Sequence, residues 1–260
     1  MAFFAASLAS GSSGNSYYFQ SSAGAVLIDA GLTGRELVKN IFAAGGDPVR
    51  VRGIIVTHDH GDHVSSAGVL HRRHGWKLWM TAGTREAAAD RLGKIEAEMV
   101  RPGAGLSAAG FIFEFTATPH DGTEPVAVAA ETTGRRGGVF TDLGHVFDGL
   151  GDLLANLDFV FLESNYDADL LAANQKYPPF LKARIRGEGG HLSNTEASTL
   201  IRNLPGERLR RVVLSHLSQE NNRPELARNC FLTGASERIR DSGMRVGVAP
   251  RHEPLPLFEV

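Results

Sequence analysis

Cysteine is the residue this chain most nearly lacks: Cys230 is the only one in 260 residues. A lone cysteine closes no intramolecular disulfide and builds no cysteine-rich zinc site. Its expected place is that of a small buried thiol. Long hydrophobic runs are missing as well, since no stretch approaches the ~20 apolar residues of a membrane-spanning helix. The start, Met1-Ala2-Phe3-Phe4, has neither the basic segment nor the apolar block of a secretion signal. Excess charge is also absent. The formal net charge is −2, whereas dedicated nucleic-acid-binding domains are often strongly basic. These absences lead to the expectation of a soluble, cytoplasmic protein held together by its own core.

What is present is ordinary in bulk, with 42% hydrophobic and 22% charged residues, the balance of a globular protein. No internal repeat, low-complexity tract or long linker divides the chain, so a single domain over residues 1–260 is the simplest expectation. Local patterning is informative. "FFAASL" and "SYYFQ" flank a Gly/Ser/Asn cluster, "ASGSSGN", that reads as a turn between strands. "AVLIDAG" is a short apolar strand, "TGRELVKNIFAAGG" a helix capped by Thr33, and "RGIIVTH" a buried strand. Helices follow at "VSSAGVLHRRHG" and "TREAAADRLGK", and strands at "FIFEFTATPH", "PVAVAAET", "RGGVFTD", "DFVFLESN" and "RRVVLSH". The segment 167–186 reads as helical around Pro178-Pro179, and "NTEASTLIRNL" as a helix with Asn194 at its N-cap. Strand-rich segments alternate with helices in both halves. An α/β arrangement of two stacked sheets with helices outside follows, with active residues at the strand ends where loops converge.

The strongest chemical signal is "HDHGDH", residues 58–63, set directly behind the apolar run Ile54-Ile55-Val56. Alternate residues of an extended loop project to one side, so His58 and His60 can grip one ion, and a turn at Gly61 aims Asp62 and His63 at a second. Imidazole and carboxylate together suit zinc, manganese or iron. Three further polar residues end apolar strands: His120, Asp142 and His216. A single strand-end histidine is ordinary; three such residues beside the first cluster favour ligation.

The motifs go further. "SLASGSSGNS", "VTHDHGDH", "HDGTEPVAV", "FTDLGHV", "FLESNYD", "GGHLSN" and "LSHLSQENN" run in order from Ser7 to Asn222. In that series the chain resembles the metallo-β-lactamase superfamily, and within it the YycJ/WalJ-type branch related to tRNase Z and β-CASP nucleases. The resemblance implies a four-layer αββα sandwich with two divalent metal ions, zinc or manganese. It implies that His58, His60 and His120 hold one ion, that Asp62, His63 and His216 hold the other, and that Asp142 bridges. It implies that His191 contacts the scissile phosphate or protonates the leaving oxygen, work that suits a group titrating near neutrality. Glu163 matches an acidic position of the β-CASP relatives and would orient His191 or His216; a strand-end turn residue is the other reading. Asp62 would position the attacking water.

Four histidines fall outside this set. His71 and His74 lie with Arg72 and Arg73 on one helix and read as an exposed basic patch; His145 follows Asp142 closely; His252 sits in a Pro-rich tail. Basic runs at 182–186 (KARIR) and 208–211 (RLRR) flank the His191 and His216 motifs and could track phosphates. The expected function is a dinuclear metal-dependent phosphodiesterase, foremost a 5′-to-3′ exonuclease on DNA. A small-molecule phosphodiesterase, cyclic-nucleotide esterase or lactonase on the same scaffold is the alternative. A catalytically silent regulator predicts missing ligands, and none is missing.

Overall fold

The structure is a computed structural model that describes residues 2–260. Its contacts group into two compact units, Met1–Ala117 with Gly122–Arg135 and Pro250–Val260, and Thr118–Asp121 with Arg136–Ala249.

In the first unit six strands lie side by side in chain order: β1 (Phe4–Ala9), β2 (Ser16–Gln20), β3 (Ala25–Ile28), β4 (Val51–Ile55), β5 (Lys77–Met80) and β6 (Glu98–Met99). A last short strand, Phe258–Glu259, pairs outside β1. β1 to β3 are antiparallel and joined by tight turns, whereas β3 to β6 are parallel. Parallel neighbours require crossovers, and the intervening chain forms α1 (Gly34–Ala43), α2 (Gly61–Val64), α3 (Ala67–His74), α4 (Ala82–Ala87) and α5 (Ala89–Leu92). The expected helix over "TREAAADRLGK" is thus broken in two at Ala88. Thr33 caps α1 in a full capping box with Glu36.

One face of this sheet, through Leu27, Ile54 and Leu78, packs on Leu37 and Ile41 of α1 and Leu70 of α3. An antiparallel meander of β7 (Gly105–Ala108), β8 (Phe111–Ala117) and β9 (Val126–Thr132) carries a second apolar surface. Along β8 the residues Phe111, Phe113 and Phe115 are buried, while Ile112 and Glu114 face outward, the period-two pattern of a half-buried strand. Phe3 joins this surface to the sheet, its ring 4.9 Å from Phe111 and 5.2 Å from Phe19.

The second unit is a parallel sheet of β10 (Arg135–Phe140), β11 (Phe159–Glu163), β12 (Arg211–Ser215) and β13 (Arg245–Val248). Its helices are α6 (Leu150–Ala155), α7 (Ala168–Ala173), α8 (Pro179–Arg186), α9 (Asn194–Arg202), α10 (Pro224–Gly234) and α11 (Ser236–Ser242). α9 begins one residue away from expectation. Ser193, not Asn194, is its N-cap, accepting from the Glu196 amide while Glu196 returns to the Ser193 amide at 2.8 Å. Asn194 is freed for another task described below. Cys230, expected in the interior, is only partly buried on α10, with Sγ 3.7 Å from Thr195 Oγ1.

Parallel strands all finish at one edge of their sheet. In the first unit Asp29 and Thr57 to His63 follow β3 and β4; in the second Asp142, Glu163 and His216 stand at the ends of β10, β11 and β12. Among the described residues no helix is long and apolar enough to cross a membrane.

Candidate metal centre

The first unit gathers His58, His60, Asp62 and His63 in one loop and short helix behind β4. The rings of His58 and His63 lie 4.0 Å apart, and those of His58 and His60 4.7 Å. What orients them is a residue that the motif reading passed over. Asp29 is fully buried at the end of β3, with its backbone in the left-handed region at φ 64°. Its Oδ1 accepts from the Thr57 amide at 2.8 Å, and its Oδ2 stands 2.8 Å from His63 Nδ1. A carboxylate facing a ring nitrogen fixes the proton there, so His63 carries Nδ1–H and turns Nε2 outward. Thr57 Oγ1 donates to Asp29 at 2.9 Å and is therefore left to accept from His58 Nδ1 at 3.0 Å. His58 is held in the same tautomer.

Backbone contacts lock this loop to the first turn of the chain. The Asn15 amide donates to Asp62 O at 2.7 Å, the Ala30 amide to His63 O at 2.7 Å, and the Gly31 amide to Asn15 O at 3.0 Å. The approach is so close that a Cβ at Gly31 would sit 1.7 Å from Asp62 O. Only glycine fits there. The Asn15 side chain then reaches two residues of the motif, with Nδ2 3.2 Å from Asp62 Oδ2 and 3.0 Å from His63 Nε2. The "ASGSSGN" turn between β1 and β2 thus brings Asn15 into this cluster. Asp59, between the first two histidines, turns elsewhere: its Oδ1 accepts from the Thr123 amide at 2.7 Å and ties down that loop.

The second unit gathers His120, Asp142, Glu163, His191 and His216. One ligand atom from each of Asp142, Glu163, His191 and His216 lies within 4.8 Å of the others. His120 Nδ1 is 2.9 Å from Gly190 O. A carbonyl can only accept, so Nδ1 carries a proton and donates it. His191 Nδ1 is 2.7 Å from Glu163 Oε1, and His216 Nδ1 is 3.2 Å from Asp142 Oδ1 and 3.3 Å from Glu163 Oε1. The second oxygen of Glu163 accepts from the Leu143 and Leu192 amides at 3.0 and 3.2 Å. Burial pushes the Glu163 carboxyl up, but the His191 charge and the hydrogen bonds from His191 and His216 outweigh it and hold the pKa down to about 2. Asp142 and His216, like Asp29, have left-handed backbone, each at φ 56°.

Behind them three asparagines from three sequence motifs meet. Asn165 Nδ2 donates to His216 O at 2.8 Å, Asn222 Nδ2 to Ser164 O and Asn165 O at 2.9 and 3.0 Å, and Asn194 Nδ2 to Asn222 Oδ1 at 3.1 Å. All three are buried. In sequence only Asn194 stands out, as a helix cap; Asn165 and Asn222 have no role of their own there.

The histidines set aside have structural duties. His71 Nδ1 bonds Trp76 O at 2.8 Å, His74 stacks on Trp76 at 4.8 Å, and His145 Nδ1 bonds Glu188 O at 2.7 Å. The backbone carbonyl of His252 accepts from Asn40. The two basic runs part company. Residues 208–211 lie at the start of β12, about 17 Å of strand from His216. Arg208 is paired to Asp158 at 2.9 Å, Arg210 donates to Ser242 O, and burial with Arg245 alongside pushes the Arg211 guanidinium down. These contacts tie the run into the start of β12. Residues 182–186 form the end of α8, and the His191 amide donates to Ile185 O at 3.0 Å. This run adjoins the site.

In both units, then, histidines have Nδ1 engaged by a carboxylate, carbonyl or hydroxyl. That is the arrangement that orients metal-ligating imidazoles and raises their basicity. With carboxylates alongside and no thiolate, the donor sets fit hard or borderline divalent ions.

Residues 9–216 match the family model described as "Metallo-beta-lactamase superfamily". The chain is 34% identical over 226 residues to the exodeoxyribonuclease WalJ of Streptococcus pneumoniae serotype 2, covering 85% of this chain and 83% of that protein. It is 31% identical over 245 residues to the exodeoxyribonuclease YycJ of Bacillus anthracis, covering 93% and 91%. The fold is similar to that of the metallo-beta-lactamase fold protein YhfI from Bacillus subtilis, with a TM-score of 0.73 at 18% identity over 99% of this chain and 100% of that one.

Proposed function

The chain belongs to the metallo-β-lactamase superfamily, in the group of the WalJ and YycJ proteins, and from that premise we propose that it is a dinuclear phosphodiesterase degrading DNA from the 5′ end. Membership makes it a metal-dependent hydrolase of the α/β metallo-β-lactamase sandwich class. Its relatives' names supply the polymer, DNA; the direction of attack is part of the proposal. We assign His58, His60 and His120 to one ion and Asp62, His63 and His216 to the other, with Asp142 shared, and zinc and manganese both suit this donor set. Two such ions, when bound, acidify water and neutralise charge on the oxygens of a phosphodiester.

The observation that carries the reading is the Glu163–His191 pair. His191 holds its Nδ1 proton against the buried Glu163 at 2.7 Å, and its side chain remains 20% exposed. Glu163 fixes the ring's orientation through Nδ1, which leaves Nε2 as the atom that would hand a proton to the leaving oxygen. Asp62, steadied by Asn15, positions the attacking water. Such an arrangement serves scission of a P–O bond with a poor leaving group. The cytoplasm, where the DNA substrate and an unpaired Cys230 are both in keeping, is the compartment we propose.

The test is a time course on 5′-end-labelled duplex and single-stranded DNA with manganese or zinc, with Asp62→Ala as the blank. Stepwise release of 5′ mononucleotides, absent from the blank, is the expected result. Intact DNA alongside hydrolysis of a simple phosphodiester such as bis(p-nitrophenyl) phosphate would make the enzyme a small-molecule phosphodiesterase instead.

A further inference from the structure

Helix α8 has no buried residue. Its first turn displays Phe180 with 74% of the residue exposed, above Phe42 at 62%. Single exposed apolar side chains are common and carry no meaning alone. Three features set this one apart.

The helix is basic and carries no acid of its own. Its sequence "PFLKARIR" holds Lys182, Arg184 and Arg186 and no acidic residue. Cations near a helix C-terminus complement its dipole, which accounts for Arg184 and Arg186 but leaves Phe180 unexplained.

The helix is also fastened to the site. Besides the His191 amide on Ile185 O, the Gly190 amide donates to Gly187 O at 2.8 Å. A Cβ at Gly190 would fall 2.2 Å from Ile185 O, so the end of α8 and the turn that leads to His191 touch backbone to backbone. Gly190 O is the acceptor that orients His120. On the other side Arg184 Nε pairs with Asp121 Oδ2 at 2.6 Å, and Asp121 Oδ1 is 3.5 Å from His120 Nε2. Arg184 is one side chain removed from an assigned metal ligand.

Finally, Phe180 and Arg184 are four residues apart, on one face of the helix and about 6 Å apart along its axis. That is close to one nucleotide step of an extended strand.

We infer that α8 is the element that holds an unpaired DNA strand beside the cleavage site, with a base stacked on Phe180 and the adjoining phosphates on Arg184 and Arg186. The inference rests on the exonuclease reading and specifies how that site takes its polymer. Aromatic stacking with flanking cations is how single strands are bound without regard to sequence, because every base has a π-face. An enzyme that removes one nucleotide after another from an end needs that indifference. It also needs a strand that has left its partner, and the exposed Phe180 ring, on the helix whose end adjoins His191, gives the freed base a surface to occupy. The lack of any acid along α8 and the link from Arg184 through Asp121 to His120 favour a polyanion over a protein partner.

The test is binding of a fluorescent twelve-residue oligothymidylate with phosphorothioate linkages, which resist cleavage, to the manganese-loaded protein. Phe180→Ala weakens binding about tenfold, within the loss typical when one stacking platform is removed, and Phe180→Trp retains wild-type affinity. A fully abasic strand of equal length binds wild type and Phe180→Ala alike, since neither has a base to stack. Phe180→Ala binding oligothymidylate as wild type does, or losing the same factor on both strands, would overturn the role of α8. If wild type still degrades DNA in that case, the exonuclease reading stands alone. If wild type neither binds nor cuts any strand, the exonuclease reading fails and takes this one with it. A dimer seen by sedimentation that Phe180→Ala dissociates would also overturn the proposal, since it would assign Phe180 to a second copy of the chain.

Discussion

Asp29, Asp142 and His216 share a property that no alphabet displays: each ends a parallel strand with φ between 56° and 64°. Left-handed backbone costs non-glycine residues of order 1–3 kcal/mol, and such strain gathers where surrounding contacts over-determine it. Here the contacts are the carboxylate and imidazole hydrogen bonds themselves. Residue type is visible in the sequence, so His58, His60, Asp62, His63, His120, Asp142 and His216 could be singled out by pattern. Asp29 could not, because a buried carboxylate behind a histidine looks in sequence like any acid at a strand end. Its only trace is the "DAG" triplet, where Gly31 permits the close approach to Asp62. Asp29 offers a clean test. Asparagine tolerates left-handed backbone nearly as well as aspartate, so Asp29→Asn removes charge without disturbing the turn. The His63 tautomer then loses its anchor, and affinity for the divalent ion falls 10- to 100-fold, about the cost of losing an outer-shell partner. Competition titration with a chromophoric chelator reads this directly; unchanged affinity would remove Asp29 from the metal centre.

Elements were easier to read than their ends. The apolar runs "AVLI", "FVFLE" and "RVVLS" form β3, β11 and β12 because buried parallel strands need no alternation. Boundaries depend on caps, and caps depend on which polar side chain is free. At α9, Ser193 takes the cap because Glu196 completes the box, and Asn194 turns inward to join Asn165 and Asn222. That network joins the end of β11, the start of α9 and the approach to α10, three segments well separated in sequence. It escapes sequence reading because asparagine before a helix is such a good capping residue that a local role hides the distant one. Asn222→Leu leaves Ser164 O, Asn165 O and the Asn194 side chain to find other partners in a buried space. With buried polar groups costing about 1–3 kcal/mol each when unsatisfied, and partial relaxation, the variant should lose about 3 kcal/mol of stability. Chemical denaturation of the metal-free protein measures it; a loss below about 0.5 kcal/mol, the range of an ordinary surface change, would mean that the three asparagines act separately.

At the scale of the whole molecule the net charge of −2 and a DNA substrate pull in opposite directions. Proteins that grip nucleic acid by many phosphates pay for it in salt sensitivity, with affinity for single strands falling as the logarithm of salt with a slope near −0.7 per neutralised phosphate. Composition could count the cations but not sort them. The structure sorts the two runs that flank the site motifs: Arg208 and Arg210 are tied to Asp158 and Ser242, Arg211 is partly buried, and Lys182, Arg184 and Arg186 stand on α8. Even there Lys182 Nζ is already 2.7 Å from Ala172 O and Arg184 is paired to Asp121. The proposed contacts at Arg184 and Arg186 neutralise two phosphates, and the slope for binding oligothymidylate should be shallow, about −1.5. Arg186→Ala should reduce its magnitude by about 0.7. Anisotropy titrations between low and moderate salt give both numbers. A wild-type slope steeper than about −4 would require more phosphate contacts than α8 can supply, and the grip on DNA would then have to be sought on surfaces outside this helix.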